Sequence, residues 1–108
     1  MEELRERFEG MEEIEVVYKD PNKAPERGYA EEVDFSAKGF LFHALVLKDT
    51  TSISKPVRVE FQRKWVNFDV VAEVRFLPKG AIMAEVEYAR RLNEKLRAEA
   101  LKEGGGES

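Results

Sequence analysis

VNFDVVAEVRFLPKGAIMAEVEY (Val66–Tyr88) decides how this chain is read. Val66, Phe68, Val70, Ala72, Val74 and Phe76 occupy every second position, while Asn67, Asp69, Glu73 and Arg75 fill most of the other face. A period of two over this length predicts a strand with one face buried, so Val66, Phe68, Val70, Val74 and Phe76 should point inward. Pro78–Gly80 is a turn signal, and Ile82, Ala84, Val86 and Tyr88 alternate again. The expectation is a long hairpin over 66–88.

Working outward, Ile14, Val16 and Tyr18 mark a first strand over 13–19, Tyr29 to Phe35 a second, and FLFHALVL (Phe40–Leu47) a third that is apolar on both faces. Val57, Val59 and Phe61 alternate with Arg58, Glu60 and Gln62, a further strand. Lys19–Gly28 and Lys48–Lys55 read as loops from their Pro, Asn, Gly, Ser and Thr content. From Ala89 the period changes: Leu92, Leu96 and Ala100 recur at helical spacing. Leu4 and Phe8 fit one or two helical turns ended by Gly10. The fold class read from this pattern is mainly β: a six-stranded antiparallel β-barrel with a C-terminal α-helix. Its parts are an N-terminal arm (1–11), the barrel domain with its helix (12–103) and a flexible tail (104–108).

Composition narrows the functional classes. A chain of 108 residues with 43% hydrophobic residues is one domain with a packed core. No cysteine is present, which removes disulfides, thiolate metal sites and thiol nucleophiles. Zinc, Walker and dinucleotide spacings are missing, as is any nucleophile–base arrangement, so neither a catalytic nor a metal site is expected. Apolar runs are far too short for a membrane span, and the charged N-terminus is unlike a signal peptide; a cytoplasmic protein is expected. The 37% of charged residues and the scarcity of amides resemble proteins from hot environments. A net charge of −4 argues against DNA or RNA as partner. Residues 1–34 carry 12 acidic and 5 basic side chains, whereas 35–108 carry 10 and 13. His43, the sole histidine, reads as a packed or edge residue, Trp65 as a rim anchor, and Arg90–Arg91 as a solvated face.

VDFSAKGF (Val33–Phe40) carries the one motif, D-x-S-x-x-G, between the second and third strands. Asp34 and Ser36 can bond nearby backbone N–H groups, so the motif is read either as a strand-to-strand turn or as a ligand contact. Gly39 is expected either at positive φ or where a close backbone approach leaves no room for a Cβ. With FLF after it, VRVEF and VVAEVRF downstream and GAIMAEVEYARRLNEKL at the end, residues 12–103 resemble the PilZ domain family. These are six-stranded bacterial barrels that receive cyclic di-GMP. The resemblance implies polar contacts from Asp34 and Ser36 to a guanine or its attached backbone, and close approach at Gly39. Ligand-binding members carry R-x-x-x-R before the first strand, and those arginines hold the phosphates. Here Arg5 and Arg7 are present, but Glu9 and Met11 stand four residues after them, and Glu3 four before Arg7. The resemblance thus implies a non-catalytic regulatory module that binds cyclic di-GMP, with no cofactor, and relays it to a protein partner. The departure in the arginine motif keeps two alternatives open: a ligand-independent adaptor of pilus or flagellar machinery, and a structural barrel domain of a larger protein.

Overall fold

The structure is a computed structural model that describes residues 2–49 and 57–106, so most of the Lys48–Lys55 connection lies outside the described residues. In chain order it comprises α1 (Glu2–Arg7), β1 (Glu12–Tyr18), β2 (Glu26–Asp34), β3 (Gly39–Asp49), β4 (Val57–Asn67), a 3-10 turn (Phe68–Val70), β5 (Val71–Phe76) and α2 (Ala81–Gly106). All strand pairs are antiparallel, in the order β4-β3-β2-β1-β5. The architecture is therefore mainly β with a C-terminal helix, as expected. Among the described residues there are five strands in one unclosed sheet, where six in a barrel were expected.

The first difference lies within the stretch that looked like one strand. Asn67 accepts a hydrogen bond from the Asp69 N–H (2.9 Å), and the Phe68 N–H donates to the Lys38 carbonyl (2.9 Å). Both contacts favour a tight turn at 68–70, which splits the alternating run into the end of β4 and all of β5. Val66 is buried and Phe68 packs against the core, as predicted. Val70, Val74 and Phe76 are instead 48%, 37% and 73% exposed. The register pairs Val74 with Val16 and Phe76 with Ile14, so both lie on the core side of the sheet. They stay exposed because, among the described residues, no sixth strand covers them.

The second difference explains that missing strand. Residues 82–88 belong to α2, which starts eight residues before the expected Ala89. The alternation of Ile82, Ala84, Val86 and Tyr88 concealed a helical stripe. Ile82, Met83, Val86 and Ala89 are buried, whereas Tyr88 is exposed. Ala, Met and Glu, which are strong helix formers, dominate Ala81–Glu87. The cap comes from far away in the chain. One Glu13 carboxylate oxygen on β1 accepts the Gly80 N–H (2.6 Å) and the other accepts the Ile82 N–H (2.8 Å). A buried anion thus satisfies first-turn donors and faces the positive end of the helix. The helix continues to Gly106, into the stretch read as a tail.

Ile14, Val16, Phe40, Phe42, Ala44 and Val66 form a core on one face of the sheet, with no helical residue among the described ones packed into it. Curling of the sheet buries them. β4 and β5 are its two outermost strands, yet only Phe68–Val70 join them. Four residue steps reach about 14 Å at most, whereas the outer strands of a flat five-stranded sheet stand about 19 Å apart. Lys64 on β4 consequently reaches across β3 to Glu26 on β2 (2.6 and 2.8 Å). The Tyr18 hydroxyl donates to the same carboxylate. Burial alone would raise the Glu26 carboxyl, but its bonds from Lys64 and Tyr18 hold it below the usual range. The convex face gathers Tyr29, Phe8, Ile82 and Met83, with Leu45, Phe61 and Leu77 packed beside them. Both helices seal it.

Two outcomes follow from these contacts. Glu13→Ala should lower unfolding free energy by about 1–3 kcal/mol in denaturant melts, since it leaves buried helix donors unpaired. Glu26 has its native pKa below the unfolded value of about 4.3, so its stabilisation is complete above that pH. It is lost as pH falls through the depressed native value. Melts below about pH 4.3 should therefore show a shallower acid loss in Glu26→Gln than in the unmodified protein.

Candidate functional site

The β2–β3 turn places the motif. Asp34 pairs with Gly39 and closes a four-residue loop. The Asp34 carboxylate accepts the Ala37 N–H (3.1 Å), the Lys38 N–H donates to the Phe35 carbonyl (3.3 Å), and Lys38 adopts φ +57°. The left-handed residue is Lys38, one position before the glycine. Gly39 meets the other expectation. A Cβ there would stand 2.5 Å from the Val66 carbonyl oxygen and 2.6 Å from the Trp65 ring. Ser36 is exposed on the loop. Hydrogen bonding of the turn accounts for Asp34, and packing for Gly39.

The arginines belong to a different region. Phe8 is buried, stacked on Tyr29 (centroids 4.3 Å apart) and edge-on to His43 (5.2 Å). This contact docks the N-terminal arm on the convex face. Arg5 pairs with Glu87 of α2 (3.1 Å), and the Arg7 guanidinium lies 5.1 Å from the Phe8 ring centre. Between the arm, β1 and the start of α2 is an open cleft of about 780 Å³. Glu6, Glu9, Glu12, Glu13 and Glu87 line it against Arg5 and Lys79. Asp34, Ser36 and Gly39 are outside that lining. The cleft favours cations over phosphates. At its base, burial and then the Glu13 charge push the Tyr29 phenol up to about 12. The motif and the arginine arm are thus not gathered into one cleft.

His43 is buried, as its apolar strand suggested, and its Nε2 is 2.9 Å from a Glu31 carboxylate oxygen. A register shift between Ala30 and Glu32 accompanies this contact on the side that carries Arg63. The Arg63 guanidinium, then His43, keeps the Glu31 carboxyl below its ordinary range. Among the described residues, no three His, Asp or Glu side chains are gathered in a metal-binding set. No helix among them is long and apolar enough to cross a membrane.

What the sequence reading passed over is the exposure of apolar side chains near this end of the sheet. Phe35 is 80% exposed, and Val33, Trp65 and Val70 are each close to half exposed. The Phe35 ring is 6.0 Å from that of Phe68, which lies 6.3 Å from Phe40 in the core. The tip is therefore anchored from beneath while its outer ring faces solvent. Phe35 was legible as an aromatic at an unspecified motif position, but its exposure depended on the loop geometry.

No family model, no curated protein and no solved structure matches this chain. Its function is therefore argued from its surfaces. For the turn itself, Gly39→Val should cost about 1–3 kcal/mol in denaturant melts, because the Val66 carbonyl is backbone and cannot swing aside.

Proposed function

We propose that this chain is a non-catalytic binding module that acts through protein contacts, as a ligand-independent adaptor. The observation that supports this reading is Phe35, held at the tip of the β2–β3 turn with its ring in solvent. A large aromatic held so exposed is characteristic of protein-contact surfaces. Asp34 and Gly39 have a structural duty beneath it, so retention of the motif does not require a nucleotide. An acidic cleft beside Arg5 fits the same reading, since two phosphodiester charges would meet five carboxylates there.

Cyclic di-GMP reception is the second reading. Arg7 favours it: the side chain is exposed and, among the described residues, makes no ion pair. A guanidinium in that state is available to a phosphate.

Titration calorimetry with cyclic di-GMP separates the two. The adaptor reading expects no heat above dilution at ligand concentrations of hundreds of micromolar. Binding heat that Arg7→Ala weakens about tenfold to a hundredfold would establish the receptor instead. Phe35→Ser should leave folding stability within about 0.5 kcal/mol, as for a residue kept for contact rather than for the core. A much larger loss would return Phe35 to a structural role.

A further inference from the structure

The two edges of the sheet are guarded differently. β4 carries Arg58, Glu60, Gln62 and Lys64 along one face, and Asn93 occupies both the N–H (2.5 Å) and the carbonyl (2.6 Å) of Val57. Such charges and caps discourage strand addition. Among the described residues β5 has no such backbone cap, and it carries one charge of each sign, Glu73 and Arg75, between apolar residues. It reads VAEVRF, is exposed at Ala72–Phe76, and has no strand on its outer side among the described residues.

Backbone direction along β5 is fixed by its pairing with β1. The Leu77 N–H donates to the Glu13 carbonyl, and Arg75 pairs with Glu15. Odd-numbered residues of this stretch therefore turn their backbone groups toward β1. Val74 and Phe76 direct theirs outward. An edge with outward donors and acceptors, exposed apolar side chains on one face and one charge of each sign on the other is self-complementary.

From this we infer that β5 pairs antiparallel with β5 of a second copy, with Val74 on the two-fold axis. In that register Val74 exchanges two hydrogen bonds with its mate, and Phe76 lies opposite Ala72 of the second copy, a large side chain over a small one. Glu73 faces Arg75 of the second copy, and Arg75 faces its Glu73, at the close non-hydrogen-bonded positions. Moving the axis by one residue in either direction, a slip of two residues between the strands, places Glu73 opposite Glu73 or Arg75 opposite Arg75. Charge thereby selects one register. A register shift in β1–β5 pairing beyond Glu73 ends the flat part of the edge, so the ladder is short and the association concentration-dependent.

Sedimentation velocity from about 10 µM to about 1 mM tests it, the range in which a small interface registers. The weight-average mass should climb from 12.5 kDa toward twice that value. Val74→Pro removes an N–H that points outward, so the protein should keep its circular dichroism and stay monomeric. Glu73→Arg and Arg75→Glu should each weaken the dimer about tenfold or more, and the double exchange should restore it, because opposite charges then face again. A monomer at every concentration overturns the inference. So does a dimer indifferent to Val74→Pro, or a double exchange no better than its single variants.

Discussion

Three residues, Phe68–Val70, join the two outermost strands of the sheet. That short tether cannot span a flat five-stranded sheet, so the sheet has to curl until β4 and β5 approach at one end. The curl creates the concave core of Val16, Phe42 and Ala44, which needs no helix to shield it. It also brings Lys64 within reach of Glu26 across an intervening strand, in a hydrogen-bonded ion pair. Such a pair is a modest contributor to stability on its own. Its importance is geometric, since it is satisfied only when the sheet is bent.

Curling settles one face and leaves the other in need of cover. On the convex side Tyr29 and Phe61 present aromatic surface, which Phe8 of the arm and Ile82 and Met83 of α2 enclose. Full burial of residues such as Ile82 and Val86 contributes about 1.5–3 kcal/mol each, more than the propensity differences between a strand and a helix at Ala81–Tyr88. Glu13 then supplies what a helix start lacks, an acceptor for its free N–H groups. The consequence reaches the other end of the molecule. Because 82–88 cover the convex face, they do not pair with β5, and the sheet stays open along that edge.

These facts explain what was legible. The strands over 13–19, 40–47 and 57–62 could be read because their patterns were local and their neighbours agreed with them; that the last of these runs on to Asn67 could not. The helix of 81–89 could not, because its sequence satisfies both periods and the arbiter, Glu13, is about seventy positions away. The continuous alternation of Val66–Phe76 concealed a turn whose cause, the Lys38 carbonyl, comes from another hairpin. At the candidate site, the turn character of Asp34–Gly39 and the close approach at Gly39 were readable from residue type. The separation of that turn from the Arg5–Arg7 arm was not, since only the docking of Phe8 decides where the arm lies. Phe35 went unnoticed for a similar reason: a lone aromatic in a strand pattern is expected inside.

The surfaces left after folding are few and distinct: an aromatic tip at the β2–β3 turn, an acidic cleft beside the arm, and the bare β5 edge. The cleft and the edge depend on α2 taking residues 81–89 away from the sheet. Backbone carbon chemical shifts across Lys79–Ala89, measured in solution on the intact chain, test this most directly. Helical shifts that begin at Ala81 and continue through Tyr88 are the predicted result. Extended shifts over Ile82–Tyr88 would contradict it, restoring a sixth strand and removing the open edge.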